Sequence, residues 1–328
     1  MKVLITGSSG FIGAAVTRAV VANGDDVRVL VRPTSNLKNL EELPVETVEG
    51  DLQDSPSLHR ALSGCRALYH VAAHYALWDR DPTTFYKVNV EGTKKILTAA
   101  AEAGVDRIVY TSTIGAIGLP DGGGLGREEF FPSENQLSGD YKRSKYLAEQ
   151  EVLKMAQQGL PVVIVNPTAP VGERDVKPTP TGQIIVEFMR RRMFAYMETG
   201  MNLVDVEDVA CGHVQAMKKG RVGERYILGN QNLMLKDICH MLSQLTGIPP
   251  PHIRLPWRVV VPMAHMNKWV SDWVTHKPPR IPLEGVRMAK YRMHYDCTKA
   301  QQELDLPQTP VKMALEKAVK WFRQHGYV

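Results

Sequence analysis

The stretch Val3-Leu4-Ile5-Thr6-Gly7-Ser8-Ser9-Gly10-Phe11-Ile12-Gly13 decides the fold. Three apolar residues lead into a turn with glycine at every third position, and the apolar-periodic segment Phe11 to Ala22 follows. That is a buried strand turning sharply into a helix. The glycines have separate tasks in such a turn. One allows the tight turn, one lets backbone approach a pyrophosphate, and one lets helix and strand pack closely. The start of the helix then offers free N–H groups and the positive end of its dipole to phosphate oxygens. A glycine triad alone is weak evidence, and the strand–turn–helix context is what makes it a dinucleotide-binding turn. Gly7, Gly10 and Gly13, with Ser9, Phe11 and Ile12 between them, are therefore cofactor-binding candidates.

Working outward, short β-branched runs alternate with helical patterns. Val27–Val31, Val45–Val48, Ala67–Val71, Arg107–Thr111 and Val162–Val165 read as further strands, and Asn89–Ala103 and Tyr141–Gln158 as helices. Strands apolar throughout are covered on both faces, which means βαβ units. The fold class is α/β, a doubly wound parallel (Rossmann) sheet. After Asn166 the pattern loses its regularity. Prolines gather at Pro178 and Pro180, at Pro249-Pro250-Pro251 and at Pro278-Pro279, marking a smaller, mainly helical second lobe. Brief strands at Leu203-Val204 and Tyr226-Ile227-Leu228 are expected to rejoin the main sheet. The division is then residues 1–170, with returns near 203–230, for the dinucleotide, and 171–202 with 231–328 for a substrate lobe. Asp121 to Asp140 reads as a mobile loop where an active-site flap is often found.

Composition narrows the function classes. The 328 residues are 44% hydrophobic and 23% charged, an ordinary globular balance. A net charge of +5 with no basic block among aromatics gives no reason to expect nucleic acid. Cys65, Cys211, Cys239 and Cys297 have no metal-ligand spacing, so no metal and a reduced, cytoplasmic setting are expected. No run is long and apolar enough for a membrane span, and the first residues already read as a strand rather than a signal peptide.

The end of the second strand bears on which dinucleotide binds. A carboxylate there grips the ribose 2′-hydroxyl of NAD, whereas an arginine accommodates the 2′-phosphate of NADP. This chain has Arg32, so NADP(H) is favoured and NAD(H) is the alternative; a solvated Arg32 is the bland reading. Asp51, with Leu52 beside it, follows the third strand and is placed for the adenine amino group, or simply for a turn. Ala72 and Ala73 are small enough to pass the cofactor. His70 and His74 flank them and are assigned no role.

Tyr141 and Lys145 are four apart on a helix and share a face. Carbonyl reduction needs a proton donor beside the hydride acceptor, and a neighbouring ammonium favours phenolate. Thr113, after the strand end at Thr111, offers a hydroxyl to the substrate oxygen and to Tyr141. Thr113, Tyr141 and Lys145 are the catalytic candidates, and Tyr141, Lys145, Thr111 and Pro167 also border the cofactor path.

Thr6–Gly13, Thr111-Ser112-Thr113, Tyr141-Lys142-Arg143-Ser144-Lys145, Asn89-Val90-Glu91-Gly92-Thr93, Val204–Ala210 and Asp296–Ala300 resemble the extended short-chain dehydrogenase/reductase superfamily in order and spacing. Val31–Ser35, Lys177–Gly182 and Tyr226–Gly229 are similar to its dihydroflavonol 4-reductase-like branch, and most closely to bacterial hopanoid-associated sugar epimerases. The resemblance implies catalytic Thr113, Tyr141 and Lys145, an Asn89 that supports the helix near Lys145, and an isoprenoid-lipid context. It also implies a homodimer pairing Asn89–Ala103 with Tyr141–Gln158.

On the substrate side, Asn166 follows the sixth strand and Arg174 is a candidate anion or hydroxyl contact, an ion pair with Glu173 or Asp175 being its bland reading. Arg190-Arg191-Arg192 reads as a solvated helix face. Trp257, Val259–Val261, Met263, Met266, Trp269 and Trp273 suit a helix packed within the second lobe; a lipophilic pocket or a touch on a bilayer surface is the other reading. The function expected is an NADP(H)-dependent aldehyde or ketone reductase on a small molecule. A sugar or nucleotide-sugar epimerase and a non-catalytic dinucleotide sensor are the alternatives.

Overall fold

The computed structural model describes residues 1–279 and 281–328. Strands β1 (Lys2–Thr6), β2 (Asp26–Val31), β3 (Glu46–Glu49), β4 (Ala67–His70), β5 (Arg107–Thr111), β6 (Val162–Pro167) and β7 (Arg225–Leu228) form one sheet. Its seven strands run in the order β7-β6-β5-β4-β1-β2-β3, all parallel. Successive residues of β1 show why it is apolar throughout. Val3 and Ile5 enter one core with Val16 and Val20 of the helix Phe11–Ala22, while Leu4 enters the other with Leu58, Leu62, Ile96 and Leu97. Side chains alternate across a strand, so helices on both faces require both sets to be apolar. The order reverses between β1 and β4, and ligands of such sheets bind at that crevice beyond the strands' carboxyl ends.

A smaller lobe of mainly C-terminal helices stands against that edge. It has its own core, where Phe188, Leu242, Leu315 and Phe322 meet. The two returning strands part company. Tyr226-Ile227-Leu228 joins the main sheet beside β6, as expected. Leu203-Val204 belongs to a longer strand, Gly200–Asp205, in a separate sheet with Ala169–Val171, Gln231–Met234 and Arg292–Met293. The Asp121–Asp140 segment is anchored midway, because Arg225 donates to the carbonyls of Glu128 and Phe130 and Ile227 N–H donates to Glu128 Oε1 at 2.9 Å.

The expectation that Trp257–Trp273 packs within the lobe is corrected. The helix Trp257–Val270 buries only its Val260–Ala264 side, and Met266, Trp269 and Trp273 stand in solvent. Periodicity shows that one face is apolar; it does not show what covers that face. No described helix is long and apolar enough to cross a membrane.

Candidate active site

The glycine turn sits at the carboxyl end of β1, at the crevice. Gly7 takes φ of 76°, a left-handed conformation that side chains disfavour, and a Cβ there would stand 2.6 Å from Ala72 N. A Cβ on Gly13 would overlap the Gly7 carbonyl oxygen. Gly10 begins the helix with no side-chain cap and no acid in the first turn, so the N–H groups of Phe11, Ile12 and Gly13 keep their anion-binding capacity. This cradle fits a dinucleotide pyrophosphate. Ala72 is fastened alongside, its N–H donating to Thr6 Oγ1 at 3.2 Å, and Ala73 is exposed.

Farther along the edge, Arg32, Thr34, Asp51, Asp54 and Arg60 line one open depression at the ends of β2 and β3. Arg32 is exposed, and its backbone N–H donates to Ser35 Oγ at 3.0 Å. Asp51 Oδ1 accepts from Gln53 N at 2.8 Å, so one oxygen shapes the turn, as in its bland reading. Leu52 is buried against Gly92.

Tyr141 and Lys145 lie on the helix Gly139–Gln157 beside the end of β5. Tyr141 borders a cleft with Trp78, Phe85, Leu283 and Met288, and the Tyr75 ring stands 4.7 Å from its own. Burial pushes its phenol up to about 12, and the neighbouring Thr113 hydroxyl works the other way. Lys145 is enclosed. Its Nζ donates to the Thr111 carbonyl at 2.8 Å and Tyr110 Oη at 3.0 Å, and burial pushes it down to about 7 against the pull of Glu149. The acidified phenol expected from Lys145 is thus not set up by these residues alone, because the ammonium is turned to Tyr110 and Thr111. The Thr111 hydroxyl faces inward to His213 Nε2 at 2.8 Å. Thr113 Oγ1 accepts from Gly115 N at 3.1 Å, which holds it at the strand end.

Asn89 lies on a wide helical turn, Lys87–Glu91. Its amide bonds both the N–H and the carbonyl of His74 and donates to Ser144 Oγ at 3.0 Å, which itself bonds the Tyr141 carbonyl. It therefore fastens the helix Gly139–Gln157 one residue before Lys145. Pro167 ends β6, buried opposite Leu228.

The two substrate candidates stand elsewhere. Asn166 is wholly buried, and its Nδ2 donates to the Thr113 carbonyl at 3.0 Å and Glu149 Oε2 at 2.7 Å, so it braces the site from behind instead of facing the cleft. Arg174 has φ of 69°, and its carbonyl accepts from Asn39 Nδ2, which also reaches the Ser9 carbonyl. It stands at the glycine turn, with its guanidinium 3.4 Å from Glu173. His70 is core, bonded to Thr6 and Thr93, and burial pushes it down to about 3.

Sequence reading missed Glu149. It lies one helical turn past Lys145, wholly buried, and pairs with Arg225 at 3.0 Å. The four-residue spacing from Lys145 was the available signal. No cluster of described residues could hold a metal ion.

Comparison with known proteins places the chain in a family. The model of the NAD dependent epimerase/dehydratase family matches residues 3–229. A Synechocystis sp. relative named "Putative dihydroflavonol 4-reductase" is 47% identical, over 99% of this chain and 95% of its own. The crystal structure of gox2253 is 46% identical over 99% of each chain, with a TM-score of 0.89. A nucleoside-diphosphate-sugar epimerase from Pseudomonas aeruginosa is 27% identical, over 100% of this chain and 99% of its own, with a TM-score of 0.83.

Proposed function

The chain belongs to the NAD dependent epimerase/dehydratase family, and from that premise we propose that it moves a hydride between a nicotinamide dinucleotide and a secondary-alcohol or carbonyl carbon held at Tyr141. The observation that carries this is the convergence of the glycine turn, Thr113, Tyr141 and Lys145 on one edge of the sheet. Gly7, Ser9, Gly10, Phe11, Ile12, Gly13, Ala72 and Ala73 would hold the pyrophosphate side, and Asp51 and Leu52 the adenine side. When bound, the nicotinamide supplies the hydride acceptor or donor and a positive charge close to the phenol. Tyr141 would take or give the proton of the substrate oxygen, Thr113 would bond the same oxygen, and Lys145 would favour the phenolate only on leaving the Tyr110 and Thr111 oxygens that it bonds here. Residues 1–170 with 206–230 serve the dinucleotide in this proposal, and 171–205 with 231–328 serve the substrate, the strand Gly200–Asp205 lying in the separate sheet.

Of the two outcomes of such a transfer, we favour oxidation followed by re-reduction at one carbon, an epimerisation of a sugar or nucleotide sugar. The family's name and the Pseudomonas relative support it over the net reduction expected from sequence. Net reduction stands as the second reading, supported by Arg32 and Arg60 in the depression that would take an NADP 2′-phosphate and by the Synechocystis relative's name. The relatives reported above carry no hopanoid name, and that part of the resemblance adds nothing. The test is mass spectrometry of nucleotide bound to the purified protein. NAD retained through dialysis supports the epimerase, and NADP(H) lost on dialysis supports the reductase. Absence of affinity for either dinucleotide would end both readings.

A further inference from the structure

The helix Trp257–Val270 and the turn Ser271–Thr275 that continues it put one apolar stripe in water. Val260, Ala264 and Ser271 face inward and are buried. On the opposite side Val259, Met263, Met266, Trp269 and Trp273 follow helical spacing and are 50%, 44%, 66%, 59% and 74% exposed. Scattered exposed apolar residues need no explanation, whereas a contiguous face with two tryptophans does. We propose that this stripe docks on an anionic lipid bilayer, with the helix lying in the plane of the interface.

The charges around the stripe select that occupant. Between residues 251 and 279 the bases Arg254, Arg258, Lys268 and Lys277 stand with a single acid, Asp272. Asp272 is already committed, accepting from Lys268 Nζ at 2.6 Å and Trp78 Nε1 at 2.7 Å. Arg254 pairs with Glu198 at 2.9 Å and Lys268 with Asp272, which leaves Arg258 and Lys277 with no acidic partner among the described residues. A second copy of the chain seated on this face about a two-fold axis would bring these like charges together with no free carboxylate between them. An anionic headgroup layer answers the bases, while tryptophan and methionine enter the acyl boundary and the tryptophan N–H stays with the polar layer. The helix lies on the surface and does not cross it. Its inner side walls the Tyr141 cleft through Lys268, so the docked face lies about one helix diameter, ~10 Å, from that cleft. The proposal does not depend on which reaction the cleft performs.

The test is flotation of the full chain with phosphatidylcholine vesicles containing phosphatidylglycerol, read alongside tryptophan emission and sedimentation of the free protein. The expected result is co-flotation that weakens with salt, a blue shift in emission, and a loss of about tenfold or more in partitioning for Trp269→Ser/Trp273→Ser. Dinucleotide affinity and circular dichroism of that variant should match the parent, showing that it folds. Failure of the parent to float with these vesicles would overturn the proposal. So would unchanged flotation of the double variant, or a dimer of the parent that the variant dissociates without any vesicle binding.

Discussion

Replacing Glu149 with Gln probes the support of the site without touching the cleft. The Glu149 carboxylate is wholly buried, 3.0 Å from Arg225 Nη1 on one oxygen and 2.7 Å from Asn166 Nδ2 on the other. A glutamine keeps the shape and leaves a single accepting oxygen. Either Arg225 or Asn166 then loses its partner, and the Arg225 charge stays buried without its counter-charge. Breaking a buried pair by removing one member costs about 3–5 kcal/mol. Arg225 retains its bonds to the carbonyls of Glu128 and Phe130, which points to the lower end, about 3 kcal/mol. Lys145 also loses the charge that opposes its desolvation, so its titration should move below its present position of about 7. The assay is urea unfolding of Glu149→Gln and of Glu149→Leu/Arg225→Met, with the Lys145 titration followed by NMR. Replacing both members with apolar groups should recover most of the loss, because no uncompensated charge remains. A Glu149→Gln cost under about 1 kcal/mol, or a double variant no better than the single one, would refute the reasoning.

Gly13→Ala puts a methyl group into the Gly7 carbonyl, and calorimetry should show dinucleotide binding lost together with about 1–3 kcal/mol of stability. Arg32→Ala should weaken NADPH binding by about tenfold or more and leave NADH binding unchanged; equal effects on both would assign Arg32 to solvent. Tyr141→Phe should abolish turnover while dinucleotide affinity survives, and normal turnover would remove the phenol from the mechanism. His70 sits at about 3 when folded against 6.5 when free, so between these values the unfolded chain binds a proton that the native state does not. Its contribution is therefore full above 6.5 and lost as pH falls toward 3, and His70→Gln should flatten the stability slope there by about 1.4 kcal/mol per pH unit. Asp175, held up at about 6 by burial, acts in the opposite sense, which is why the parent and the variant must be compared.

Local patterns made much of the fold readable, and long-range partners hid the rest. The helix Phe11–Ala22 and strand Arg107–Thr111 have the bounds that periodicity predicts, because each is apolar where a neighbour covers it. The helix at Asn89 opens instead with a wide turn, since the Asn89 amide is committed to His74 and Ser144, far away in sequence. Leu203-Val204 was legible as a strand, but nothing in it names its partners. Tyr141 and Lys145 stand out from helical spacing only together with the Thr111-Ser112-Thr113 strand end before them and the glycine turn at the start of the chain. Glu149 continues the same face, yet a helix carboxylate ordinarily reads as solvated, and Arg225, which neutralises it, lies on β7. From sequence Asn166 reads as a substrate contact, because its neighbours Thr113 and Glu149 come together only in the folded chain. The tryptophan stripe shows the same limit in reverse, an apolar face with nothing in the chain set against it.

A crystal structure with a nicotinamide dinucleotide bound tests the central claim most directly. The account predicts the pyrophosphate on the N–H groups of Phe11, Ile12 and Gly13. It also predicts nicotinamide C4 and Tyr141 Oη placed so that one carbonyl group lies within ~3.5 Å of both. A pyridine ring seated elsewhere, or a phenol walled off from C4 by protein, would contradict it.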